Sequence, residues 1–170
     1  AGFDGVDIKA CHGYLISELL AAHLREGKYG GSYENRTRFL KNVIGKIKAA
    51  TKDGFIIAVR QSIYDALEYP YGFGVDKMDS GQPDLEEPTR LIKELYELGV
   101  RLIAVTMGNP YFNPHINRPY DTGFYTPPEL PVKSVERHIV LTGKVKKSVP
   151  EMSIVGAGYS WLRQHAVQAG

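Results

Sequence analysis

Five consecutive apolar residues, Phe55-Ile56-Ile57-Ala58-Val59, offer no polar face to water. Such a strand belongs where both faces are covered, as in a parallel sheet flanked by helices. Three more short runs share the pattern: Gly5-Val6-Asp7-Ile8, Leu102-Ile103-Ala104-Val105 and Met152-Ser153-Ile154-Val155. Between them lie segments whose apolar residues recur at helical spacing. The first runs from about Tyr33 to Ala50, with Phe39, Leu40, Val43, Ile44 and Ile47 on one side and Ser32 as the expected N-cap. The second, Glu86 to Leu98, places Leu91, Ile92, Leu95 and Leu98 together and closes at Gly99. The third spans roughly Ser134 to Lys146, and a short final segment is expected near Trp161. This alternation predicts an α/β fold with a parallel sheet and right-handed crossovers. No linker or break in composition divides the 170 residues, so 1–170 reads as one domain.

Charge narrows the range of partners. The chain has 21 basic and 19 acidic side chains, scattered, for a formal net charge of +2. Without a basic stripe, nucleic acid is a poor expectation. No apolar run approaches the roughly 18 residues of a membrane span. The single cysteine, Cys11, excludes an internal disulfide framework and suggests a reducing, cytoplasmic setting. The chain opens at Ala1-Gly2-Phe3 with no initiator Met, which suggests a piece of a longer protein.

The loops after the strands hold the unusual residues, whereas the helix-to-strand returns at 50–54 and 99–101 are short. In βα barrels the post-strand loops gather at one face, where chemistry is done. Lys9, His12 and Tyr14 follow the first strand; a lysine or histidine there can hold an oxyanion or carbonyl oxygen, and a tyrosine can deliver a proton. On spacing alone, Tyr14 packing and His12 bonding backbone serve equally. Arg60 directly follows the apolar run and requires an anion, an electron-rich acceptor or a structural carboxylate such as Glu34 or Asp7. Gly156-Ala157-Gly158 reads either as a phosphate cradle or as a plain tight turn. Glu34, Asn35, Arg36 and Arg38 read as a structural network pinning the preceding loop. The aromatics between Tyr64 and Phe73 form either a lid or a loop core. His23, His138 and His165 have no partners at metal-ligand spacing, so no metal site is expected.

Taken together, AGFDGVDIKACHGYL, KYGGSYENRTRFL, FIIAVR, NPHINRPYDTGFYTPPE and IVGAGYSWLRQ resemble the old yellow enzyme-like NADH:flavin oxidoreductase family, in the family's order along nearly the whole chain. The resemblance implies a (β/α)8 TIM-barrel fold, of which four βα units are present, corresponding to strands four to seven. It implies FMN as cofactor, NADH or NADPH as reductant, and hydride transfer to an activated C=C bond of a small α,β-unsaturated substrate. Carried over by position, Lys9 and His12 match the pair that binds the substrate carbonyl, and Tyr14 matches the proton donor. Arg60 matches the arginine beside the flavin N1/O2 edge, and Gly156, Ala157, Gly158 and Tyr159 match part of the phosphate-binding loop. Lys9 stands where histidine is usual, which predicts a shift toward carboxylate-bearing substrates. Some relatives add an iron–sulfur cluster, for which this span with its one cysteine has no site.

A whole barrel needs about 250 residues. The chain is therefore expected to be a fragment whose open first and fourth strands bind flavin poorly or pair with another copy. Two other readings remain at this point: a different barrel enzyme with Lys9 as Schiff-base lysine, and a non-catalytic half barrel that serves assembly.

Overall fold

The computed structural model describes residues 2–123, 125–159 and 162; the expected final segment at Trp161, and His165, lie outside them. Four strands, β1 (Gly5–Ala10), β2 (Ile56–Tyr64), β3 (Leu102–Met107) and β4 (Ser153–Val155), form one parallel sheet in sequence order. Five helices lie between them: α1 (Leu15–Leu20), α2 (Tyr33–Ala50), α3 (Glu86–Glu97), α4 (Pro114–Asn117) and α5 (Pro131–Ser148). Parallel neighbours in sequence order place every post-strand loop at the same edge of the sheet.

Strand parity separates two faces. Ile57, Val59, Ile63, Ile103 and Val105 are buried and join Leu40, Ile44, Leu91, Ile92, Leu95 and Val145 from the helices in a continuous core. The residues between them face the other way, and there Ile56 and Val155 are about half exposed. Register sets Lys9, Arg60, Ala104 and Val155 side by side across that helix-free face. A sheet curling toward a barrel has this arrangement, with its helices outside.

Local signals account for most of the boundaries. Ser32 caps α2, its hydroxyl accepting the Asn35 N–H at 3.3 Å. Gly99, at φ +102, ends the turn after α3. α5 begins three residues before the expected Ser134, because Pro131 is already set for a first helical turn. β2 runs five residues past Val59: Arg60, Gln61, Ser62 and Tyr64 stay in the ladder with β3, and Ile63 is skipped where the register shifts. The expectation that Arg60 ends a buried strand is thus corrected to a mid-strand, half-exposed position. The short helix α1 replaces what reads in sequence as a plain connection.

The charged cluster on α2 pins the loop before it. Arg36, 3% exposed, donates to the carbonyls of Leu20 and Gly31 and forms a two-bond fork with Glu87 of α3 at 2.6 and 3.0 Å. Arg38 donates to the Lys28 carbonyl and Asn35 to that of Gly27. Glu34 turns instead to Arg90 of α3. Tyr64, at the end of β2, and Phe73, in the loop after it, are fully buried, so these two aromatics fill core and form no lid. Among the described residues, no helix is long and apolar enough to cross a membrane.

Candidate active site

The chain leaves β1 through a tight turn that carries His12 and Tyr14 beyond the strand. His12 adopts a left-handed backbone conformation, φ +65, which costs a non-glycine residue about 1–3 kcal/mol. Gly13 follows at φ +68, and a Cβ there would lie 2.8 Å from the Asn109 amide nitrogen. Tyr14 then returns to extended backbone as the residue before α1. Its ring lies under the Lys9 ammonium, which sits 3.5 Å from the ring centroid. Its hydroxyl meets that of Tyr111 at 2.9 Å, and both tyrosines are substantially exposed.

His12 is held from the neighbouring strand. Its Nε2 lies 3.0 Å from Thr106 Oγ1 at the end of β3 and 2.9 Å from Asn117 Nδ2 in α4. Burial, followed by the positive charges of Lys9, Arg60 and Arg118, pushes the ring down to about 4. It is therefore neutral at ordinary pH. The loop that delivers Asn117 is itself clamped: Asn113 accepts the Asn109 N–H and donates to the carbonyls of Asp65 and Ala66. Cys11, between Lys9 and His12, points into the core, and burial pushes its thiol up to about 12.

A cleft of about 460 Å³ opens on this face between His12, Arg60, Asn117, Arg118 and the Gly156–Gly158 turn. The Arg60 guanidinium meets Asp7 at 2.6 Å, both about half exposed, so the carboxylate considered from sequence is Asp7 and not Glu34. Gly158, at φ +84, packs on His138 so closely that a Cβ would lie 2.7 Å from the ring. This fixes glycine at the turn by sterics as well as by backbone conformation. Two guanidiniums, of which Arg60 is paired with Asp7, and a glycine turn suit a ligand rich in hydrogen-bond acceptors and negative charge. FMN, with its pyrimidine edge and phosphate, fits that donor set. Arg60 would serve the first and the Gly156, Ala157 and Gly158 turn the second; Tyr159 lies outside the cleft wall, beside Ile139 and Lys146.

The family model described as the NADH:flavin oxidoreductase / NADH oxidase family matches residues 1–123. The chain belongs to that family. Its members draw on NADH or NADPH and use FMN. The NADPH dehydrogenase of Bacillus subtilis (strain 168) is 44% identical over 110 residues, 64% of this chain and 28% of that protein. The cinnamate reductase of Clostridium sporogenes is 32% identical over 163 residues, 93% of this chain and 23% of that protein. The old yellow enzyme from Pichia sp. AKU4542 superposes with a TM-score of 0.51 at 22% identity, covering 97% of this chain and 43% of that one. The α/β barrel-type fold expected from sequence is thereby established, and the chain spans well under two thirds of each of these proteins.

Sequence reasoning chose His12 but missed what holds it. Thr106 lies just beyond the apolar run taken as the third strand, and Asn117 and Arg118 sit in a loop noted only as odd. Pro114 at the first position of α4 was the available signal that this loop turns helical and directs Asn117 inward. His138 is a core histidine whose Nε2 bonds the Ile116 carbonyl at 2.8 Å, and His23 stacks with Tyr69. Among the described residues, no three His, Cys, Asp or Glu side chains are placed to hold a metal ion.

Proposed function

We propose that this chain is the part of an FMN-dependent ene-reductase that binds and protonates the substrate. The observation that carries the reading is His12 in the wall of a cationic, glycine-edged cleft on the helix-free face of the sheet, with Lys9 beside Arg60 in register and Tyr14 under Lys9. His12, neutral, and Lys9, charged, donate to the carbonyl or carboxylate oxygen of an α,β-unsaturated substrate and draw electron density from its C=C bond. Reduced FMN, when bound, supplies the hydride that adds at the β-carbon. Tyr14 gives its hydroxyl proton to the α-carbon, completing a two-electron reduction for which NADH or NADPH is the electron source. Tyr111 then donates to the Tyr14 oxygen, which has become the acceptor of the pair. Arg60 and the Gly156–Gly158 turn hold the cofactor.

Lys9 favours substrates whose carbonyl carbon is a carboxylate, since an ammonium adds charge pairing to the hydrogen bond. The name of the relative from Clostridium sporogenes supports the same direction, because cinnamate is a carboxylate conjugated to a C=C bond. The test compares the complete FMN-loaded protein with its Lys9→His form on an unsaturated acid and on a matched ketone. The acid-to-ketone ratio of kcat/KM is expected to fall roughly tenfold or more in Lys9→His, in line with the loss of one charge-assisted contact. An unchanged ratio removes Lys9 from substrate selection, and no alkene reduction by either form removes the ene-reductase reading.

A further inference from the structure

We propose that Asn117 fixes the tautomer of His12, so that the ring offers Nδ1–H to the oxygen of the substrate. Asn117 lines the cleft, but the role proposed for it acts through His12, as a positioning residue. The tautomer rests on hydrogen-bond geometry, and its use on substrate rests on the proposed function.

The argument starts at the Met107 carbonyl. That oxygen can only accept, and it lies 3.1 Å from Asn117 Nδ2. The amide nitrogen, and not the amide oxygen, must therefore face it, which fixes the rotation of the Asn117 side chain. The same NH2 group lies 2.9 Å from His12 Nε2. An amide NH2 only donates, so Nε2 must present its lone pair. Thr106 Oγ1 lies 3.0 Å from that nitrogen and 3.2 Å from the Asn117 amide, the longest of the three amide contacts, so the two amide hydrogens go to the nearer acceptors, Nε2 and the Met107 carbonyl.

Asn117 and Thr106 are 9% and 4% exposed, so water does not readily replace either. With Nε2 an acceptor, the neutral imidazole carries its hydrogen on Nδ1. Charging the ring would set N–H against N–H. Lys9 from β1, Arg60 from β2 (with Asp7 as its partner) and Arg118 beyond α4 bring positive charge that opposes that step. A simpler role, tying α4 to β3, accounts for the contacts with Met107 and Thr106 but not for a donor group 2.9 Å from Nε2, closer than either.

The first measurement needs no variant of Asn117. In the complete FMN-loaded protein labelled with 15N-histidine, the His12 signals, assigned by their loss in His12→Gln, should show Nδ1 protonated and Nε2 bare from pH 6 to 8. A proton on Nε2, or a doubly protonated ring in that range, overturns the proposal. The second measurement uses Asn117→Asp, nearly the same shape but an acceptor where the donor was. The proton should move to Nε2, and kcat/KM for alkene reduction should fall roughly 100-fold at pH 8, the usual effect of losing one oxyanion-stabilising donor. Activity should recover as the pH falls and the ring becomes doubly protonated, regaining Nδ1–H. A loss that is the same at every pH points to a structural role and overturns the positioning claim. If the wild-type tautomer is as stated but the protein reduces no alkene, the substrate clause falls with the proposed function and the tautomer assignment stands.

Discussion

Tyr14 and Asp65 make the clearest demands of any single residues. Replacing Tyr14 with Phe removes the proposed proton source while keeping the ring on which Lys9 rests. In the complete protein, the rate at which the unsaturated substrate reoxidises reduced flavin should fall about 100-fold or more. Reoxidation by oxygen, which needs no proton on carbon, should stay within about twofold; stopped-flow absorbance separates the two. Equal losses in both would mean that Tyr14 shapes the site and donates nothing. Asp65 bears on stability. Complete burial pushes its carboxyl from 3.8 to about 6, outweighing the Ser62 hydroxyl and the Phe73 N–H that donate to it. Because the folded value lies above the unfolded one, the folded state binds the extra proton between about pH 4 and 6. Stability from this group is full below the unfolded value and is lost as pH rises through the folded value, by about 3 kcal/mol in all. The difference between wild type and Asp65→Asn in urea midpoint should therefore slope across pH 4 to 6. A constant difference would show that Asp65 titrates normally.

At the scale of elements, the join between α1, α2 and α3 rests on Arg36. Arg36→Met keeps most of the buried stem but leaves the Leu20 and Gly31 carbonyls without their donor and breaks the fork with Glu87. A loss of about 3 kcal/mol is expected on urea unfolding. Glu34→Ala removes only an exposed pair with Arg90 and should leave the midpoint unchanged within error. The turn after β4 makes a cofactor prediction. Gly158→Ala forces a Cβ against His138 from a left-handed backbone, so the turn must shift. FMN affinity of the complete protein, read by quenching of flavin fluorescence, should weaken about tenfold or more with little change in the urea midpoint. Unchanged affinity would remove this turn from the cofactor site. How much of these elements could be read in sequence followed from periodicity. α2 and α3 announce themselves through apolar residues at helical spacing with charges between, and Ser32 and Gly99 mark an end of each. α1 is too short for periodicity to stand out, and the end of β2 is hidden because Arg60, Gln61 and Ser62 are polar for the sake of what they touch.

For the molecule as a whole, one face of the sheet is covered by helices and the other holds the cleft and half-exposed apolar residues such as Ile56 and Val155. Strands β1 and β4 each leave one edge without a partner among the described residues. Unpaired edges and an uncovered apolar face favour association. The isolated 170-residue chain should therefore scatter light as a species larger than one chain and bind FMN at least about 100-fold more weakly than the complete protein. A monomer that binds FMN as tightly as the complete protein would show that these four βα units make the cofactor site alone.

The sequence by itself determined the parallel α/β layout and the family, because these depend on local patterns: apolar period, loop length, and motifs such as IKACHGYL and YGGSYENR. It also pointed to His12, Lys9, Tyr14 and Arg60 as the residues of interest. Only the tertiary structure decided what each of them meets: Arg60 with Asp7, Tyr14 with Tyr111, and His12 with Thr106 and Asn117 from residues 94 and 105 positions away. Such pairings are set by strand register and by where a clamped loop returns, and register is fixed by the packing of the whole core, which no local pattern encodes.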